Sequence, residues 1–201
     1  MNKGLKYVRS GMRAAFFGLL FLVSAVPCRS QSVDVSLASA TNVEFTFDTF
    51  QKLMNGIFIA NAITLNIEAT GTQWDLYMGS VTTTPGVWDN IQYYGTSGNA
   101  APNVDLVKVR VHNLSNTPVM SGFVGLQDVA TSTMDIIGNR NALDPAVYCS
   151  DASPVGTNVA GSYTTDPQCY QFRVDLRIVP GMGYRPGLYT LQIEFVIAQD
   201  L

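Results

Sequence analysis

The chain has 201 residues, of which 47% are hydrophobic and only 13% charged, with a formal net charge of −3. That composition excludes an intrinsically disordered chain, which would be apolar-poor and charge-rich. A basic nucleic-acid binder is excluded as well, since no Lys/Arg patch is visible in the sequence beyond the first 30 residues.

Residues 1–30 read as an address. Lys3, Lys6, Arg9 and Arg13 precede an apolar run over 14–26, and small and polar residues follow. This is the three-part layout of a secretory signal peptide. The run is about 13 residues, shorter than the roughly 20 that a membrane span needs. Cys28 is the candidate lipidation site, because bacterial lipoproteins are acylated at a cysteine just after the apolar run. Pro27 stands where that pattern wants a small residue, so the reading preferred is that Cys28 leaves with the leader. Five of the 12 basic residues (Lys3, Lys6, Arg9, Arg13 and Arg29) lie in the leader and none of the 15 acidic ones does. The remaining chain, 31–201, therefore carries −8 and is expected to form a single domain. A charge of that sign argues against nucleic acid and anionic lipid heads.

The body alternates with period two, the signature of strands that bury one face. A first short strand is expected at 33–37, and Val43, Phe45 and Phe47 alternate with Glu44, Thr46 and Asp48. A helical turn is expected around 50–54, before Asn55-Gly56. Ile63, Leu65, Ile67 and Ala69 alternate next, then a weaker strand at 74–78 that places Trp74 in the core. Residues 80–102 are irregular, with a weak strand at 91–94. Val107, Val109 and Val111 alternate with Lys108, Arg110 and His112, which puts His112 on the wet face as a surface histidine. Asn113-Leu114-Ser115 is a formal N-glycosylation acceptor. A weak strand at 119–126 precedes a second irregular region, 138–168. Strong alternation returns at 172–178 and 191–197. One-sided burial favours antiparallel sheets, so an all-β, Ig-like β-sandwich is expected, with a jelly roll or barrel as the alternative.

Cys149 and Cys169 remain after the leader. An even pair in an exported chain points to one disulfide, closing a loop worth on the order of 3 kcal/mol. Asp144, Asp151 and Asp166 lie in the same region, but their spacing fits no calcium motif and they read as solvated turn acids. No nucleophile elbow, phosphate loop or zinc cluster is present. No catalytic residue, metal ligand or cofactor is assigned. Among Trp74, Trp88, Tyr93, Tyr94, Tyr148, Tyr163 and Tyr170, the loop residues Trp88, Tyr93 and Tyr94 are the candidates for a ligand-binding platform.

Two stretches carry a resemblance: Tyr184-Arg-Pro-Gly-Leu-Tyr-Thr-Leu-Gln-Ile-Glu-Phe-Val-Ile-Ala-Gln near the C-terminus, and Asn55-Gly56 through Ala62-Ile-Thr-Leu-Asn-Ile to Gly71-Thr-Gln-Trp74-Asp-Leu. Together, about a quarter of the chain resembles small bacterial surface sandwiches of the spore-coat-U-like, WxL-like and fimbrial adhesin-like groups. Trp74-Asp75-Leu76 supplies one Trp-x-Leu, with no second to accompany it. The resemblance implies an Ig-like fold, partners among other envelope or surface proteins, and self-assembly in which residues 33–37 could serve as a donor strand, although the reading preferred is that this strand pairs within its own domain. The expected function is a non-catalytic, exported protein of the periplasm, cell surface or exterior, with a structural, adhesion or pilus-like role. A secreted carbohydrate- or protein-binding module is the alternative, and a sandwich hydrolase with a carboxylate pair is the third.

Overall fold

The computed structural model describes residues 30–39, 42–98, 101–114, 122–137 and 158–200. Residues 1–29 of the leader, Cys28 among them, and Asp144, Tyr148, Cys149 and Asp151 lie outside them. Gln31–Leu201 groups as one compact unit.

The chain order begins with β1 (Ser32–Leu37), a helical turn α1 (Phe50–Asn55), β2 (Ile57–Thr70), β3 (Gln73–Val81) and β4 (Asp89–Tyr93). It continues with β5 (Val107–Asn113), β6 (Val124–Gly125), β7 (Met134–Ile137) and β8 (Gly161–Ser162). A short turn α2 (Pro167–Tyr170) leads into β9 (Gln171–Ile178), β10 (Gly187–Thr190) and β11 (Gln192–Asp200). The expected turn at 50–54 is α1. Thr49 caps it by accepting a hydrogen bond from the Lys52 amide at 3.2 Å, and Gly56 ends it at φ 78°. A side chain at Gly56 would overlap the Ile178 carbonyl, so the tight exit from α1 into β2 requires glycine.

All the strand ladders are antiparallel, and the described strands do not close into a barrel. One sheet runs β1-β2-β9-β5-β6, with β8 also pairing β2; another runs β11-β3-β7. Ile63, Leu65 and Ile67 of β2, the valines of β5, and Phe172, Val174 and Leu176 of β9 point inward from the first sheet. Trp74, Leu76 and Met78 of β3 belong to the same buried cluster. The two sheets therefore share one hydrophobic core, which is the sandwich-like character that the alternation predicts.

Two strand expectations need correction. Residues 42–48 alternate in burial, and Val43, Phe45 and Phe47 pack on the core, yet the segment forms no strand. Alternation reports which side chains are buried, not whether a neighbouring backbone is there to pair with. The strand expected over 119–126 is reduced, within the described residues, to the two residues of β6. Asn113 is fully buried in β5, so the folded chain cannot carry a glycan there. Among the described residues, no helix is long and apolar enough to cross a membrane.

Candidate functional site

β4 and β10 pair only with each other, as a two-stranded ribbon. Leu188 faces Gln92 and Gly187 faces Tyr93, with a bulge at Ile91. Because a two-stranded ribbon cannot bury both its faces, its apolar side chains stay in solvent: Ile91, Tyr93, Tyr94 and Leu188 are all exposed. The Tyr93 and Tyr189 rings meet edge to face at 6.1 Å. The Arg185 guanidinium lies over the Tyr93 ring at 4.5 Å, a cation–π contact. Tyr189 donates its hydroxyl hydrogen to the Arg185 carbonyl at 2.6 Å. Burial raises the Tyr189 phenol above its ordinary value, Tyr93 adds to the rise and Arg185 opposes it, so the donor form persists.

The structure separates the expected platform. Trp88 precedes β4 and packs against the core, with its indole Nε1 buried and unaccepted among the described residues. Tyr93 and Tyr94 lie at the opposite end of β4 and are exposed. At the near end, Asp89 and Thr190 are cross-strand partners. They line an open groove of about 390 Å³ together with Thr82, Thr83 and Gln192. Both Asp89 carboxylate oxygens accept from the Thr83 amide, at 2.9 and 3.1 Å.

The groove residue Thr82 is bonded to Asp128, which is only 2% exposed. Its carboxylate accepts from the Ala130 amide at 3.0 Å and the Thr82 hydroxyl at 2.8 Å. Burial pushes the Asp128 carboxyl up, but the Gly86 and Ala130 amides and the Thr82 and Ser80 hydroxyls outweigh it, holding it below the usual range. One carboxylate thus ties 80–86 to 127–130. Asp128→Ala is expected to cost about 2 kcal/mol and to raise amide exchange at Gly86 and Ala130, which hydrogen exchange would report. Unchanged exchange there would refute the tie.

On the outer face of the large sheet, Asp175 and His112 are buried at 2% and 6% exposure. The surface placement of His112 is therefore overturned. β2 inserts extra residues between Ile59 and Ile63 opposite Asp175. There Asn61 adopts φ 51°, a conformation asparagine tolerates better than most residues. Its amide donates to Asp175 Oδ1 at 2.8 Å. Arg110 donates twice to Oδ2, from Nε at 3.0 Å and Nη2 at 2.6 Å. His112 Nε2 lies 3.4 Å from Oδ1 and Nδ1 lies 3.0 Å from the Asn113 carbonyl. Both ring nitrogens thus face protein acceptors, so neither is placed to take a proton from a substrate. Phe58 and Phe123 meet edge to face at 5.9 Å across this outer face, and Arg110 stacks over Phe123 at 4.9 Å.

Cys169 is buried, with its sulfur 2.8 Å from Asp166 Oδ2. The expected pairing with Cys149 reaches outside the described residues. Among those residues, no group of three or more His, Cys, Asp or Glu could hold a metal ion.

The sequence reading missed the Asp175 network, whose only local signal is an acid at the centre of Arg173-Val-Asp175-Leu-Arg177. Neither a family model nor a curated protein matches the chain.

Proposed function

We propose that this is an exported, non-catalytic envelope or surface protein of Ig-like sandwich type, acting in adhesion or assembly through the β4–β10 ribbon. The observation that carries this reading is the ribbon itself. It stands outside the shared core and presents Ile91, Tyr93, Tyr94 and Leu188 to solvent. The register sets Leu188 with Gln92 on one face and Tyr93 on the other, so both faces of the ribbon offer exposed apolar side chains, a feature of contact surfaces. The leader-like N-terminus and the resemblance to bacterial surface sandwiches support export and a structural role.

The test is retention of the purified chain on envelopes from which the protein has been stripped. Tyr93→Ala combined with Leu188→Ser is expected to lower retention at least about tenfold while leaving the thermal midpoint within a few degrees, since both side chains are solvent-facing. Full retention by the double variant would sink the ribbon reading.

Assembly by strand exchange makes a separate prediction. β1 pairs β2 from Ser32↔Thr70 to Leu37↔Leu65 and lies at the sheet edge. If copies exchange β1, deleting 31–38 leaves a folded monomer that no longer polymerises. A deletion variant that fails to fold would show instead that β1 serves its own domain. The Cys149–Cys169 disulfide belongs to the same reading, and non-reducing peptide mapping would detect it.

A second reading, a carbohydrate-binding module, is favoured by the groove at the root of the ribbon. Thr82, Thr83, Thr190, Gln192 and the Asp89 carboxylate offer hydroxyl, amide and carboxylate partners for a sugar. Glycan-array binding lost on Gln192→Ala would support it over pure assembly.

A further inference from the structure

The chain after residue 30 holds seven basic residues, and four of them, Lys108, Arg110, Arg173 and Arg177, fall on two neighbouring strands. The β5–β9 register sets Lys108 against Arg177, Arg110 against Asp175 and His112 against Arg173. Since Val107, Val109, Val111, Phe172, Val174 and Leu176 point into the core, all four cations share the outer face. A protein with net negative charge thus concentrates its positive charge in one strip.

The strip is not internally neutralised. Arg110 is held by Asp175, whereas Lys108, Arg173 and Arg177 make no ion pair among the described residues. Asp105 lies beside Gly125, near the Lys108 ammonium, without forming an ion pair with it. Glu68, on the same face of β2, is engaged by the Ser162 hydroxyl at 2.8 Å. Lys108 and Arg177 are moreover direct cross-strand partners, and like charges so placed destabilise a sheet. An anion laid along the strip would relieve that repulsion.

We propose that the outer face of β5 and β9 binds an acidic polysaccharide, one carrying carboxylates or sulfates along a chain of sugars. Charge complementarity supplies the cations for its acidic groups, with Arg177 exposed and Lys108 and Arg173 half-buried. The aromatic pair Phe58 and Phe123 borders them, suited to the apolar face of a sugar ring. The two rings meet edge to face and the Arg110 guanidinium covers Phe123, which leaves the half-exposed Phe58 ring beside Arg177 as the apolar contact. This site is independent of the ribbon, so failure at one leaves the other standing.

The chain, purified after export, is expected to bind immobilised alginate or heparin at about 50 mM salt and to lose most of that binding at about 300 mM, where screening shortens the reach of each charge. Neutral dextran should not bind. Lys108→Gln with Arg177→Gln should weaken binding at least about tenfold, while its thermal midpoint stays equal or rises because a repulsive pair is gone. Tyr93→Ala should leave polysaccharide binding unchanged. The proposal is overturned if neither polysaccharide binds, if the double variant binds as well as the parent, if polyglutamate binds equally well, or if the chain binds only phosphatidylglycerol vesicles.

Discussion

Asp175→Ala is expected to destabilise the protein by about 3 kcal/mol. The carboxylate is 2% exposed and gathers the Asn61 amide, two guanidinium nitrogens of Arg110 and one nitrogen of His112. Truncation strands the Asn61 amide in a bulge whose strained conformation that bond supports. It also leaves Arg110 unpaired, but that side chain is 39% exposed and recovers solvation, so the loss stays at the lower end for a buried pair. Asp175→Asn keeps an acceptor for Asn61 and is expected to cost less. Urea titration would separate the two, and a cost below about 1 kcal/mol for the alanine variant would refute the network's role.

The same residue shapes the acid limb. Burial raises the Asp175 carboxyl, but the Asn61 amide, Arg110 and His112 together hold it below its ordinary value. A carboxylate whose folded value is depressed contributes stability that is fully present above the unfolded value and lost as pH falls through the folded one. The parent should therefore lose stability between about pH 4 and the depressed folded value, and Asp175→Asn should flatten that slope. Identical slopes in parent and variant would contradict the depressed carboxyl.

Much of the architecture is legible in residue order, and the reasons for the misses are physical. The inward sets Ile63-Leu65-Ile67, Val107-Val109-Val111 and Phe172-Val174-Leu176 are all buried, because period two maps directly onto the pleat. The bulge in β2 escaped notice because the five residues from Ile59 to Ile63 oppose the three from Leu176 to Val174. An insertion of two preserves the phase of the alternation, so the apolar pattern runs through it unbroken. His112 was misplaced because alternation identifies the outer face but not what lies against it there: Asp175, itself held by the Asn61 amide of the bulge. The cationic strip needed the knowledge that β5 lies beside β9, a pairing across about 60 residues that no local pattern encodes. Trp88, Tyr93 and Tyr94 are near in sequence yet serve differently, since one end of β4 meets the core and the other meets solvent.

Trp74→Ala is expected to cost about 4 kcal/mol, the largest effect of any single core truncation on β3. Trp74 is fully buried, 6.2 Å from the Phe172 ring and 6.3 Å from the Tyr170 ring. It joins the small sheet to the large one and also fastens the chain ahead of β8. Its amide donates to the Asn158 carbonyl at 2.8 Å, and its indole Nε1 to the Val159 carbonyl at 3.0 Å. Trp74→Phe separates these contributions. Tyr170 also reaches the Val159 carbonyl, at 3.2 Å, so that acceptor stays satisfied without the indole. The phenylalanine variant then loses only part of the ring volume and should cost about 1.5 kcal/mol. Urea titration followed by far-ultraviolet circular dichroism would measure both, and the single remaining tryptophan, Trp88, gives an independent fluorescence probe. If the indole bond were what holds the 158–162 segment, Trp74→Phe would cost nearly as much as alanine and amide exchange at Tyr163, whose amide bonds Ile67, would rise first. If packing between the sheets dominates, as the buried area implies, exchange at Tyr163 stays protected in the phenylalanine variant and is lost only with global unfolding.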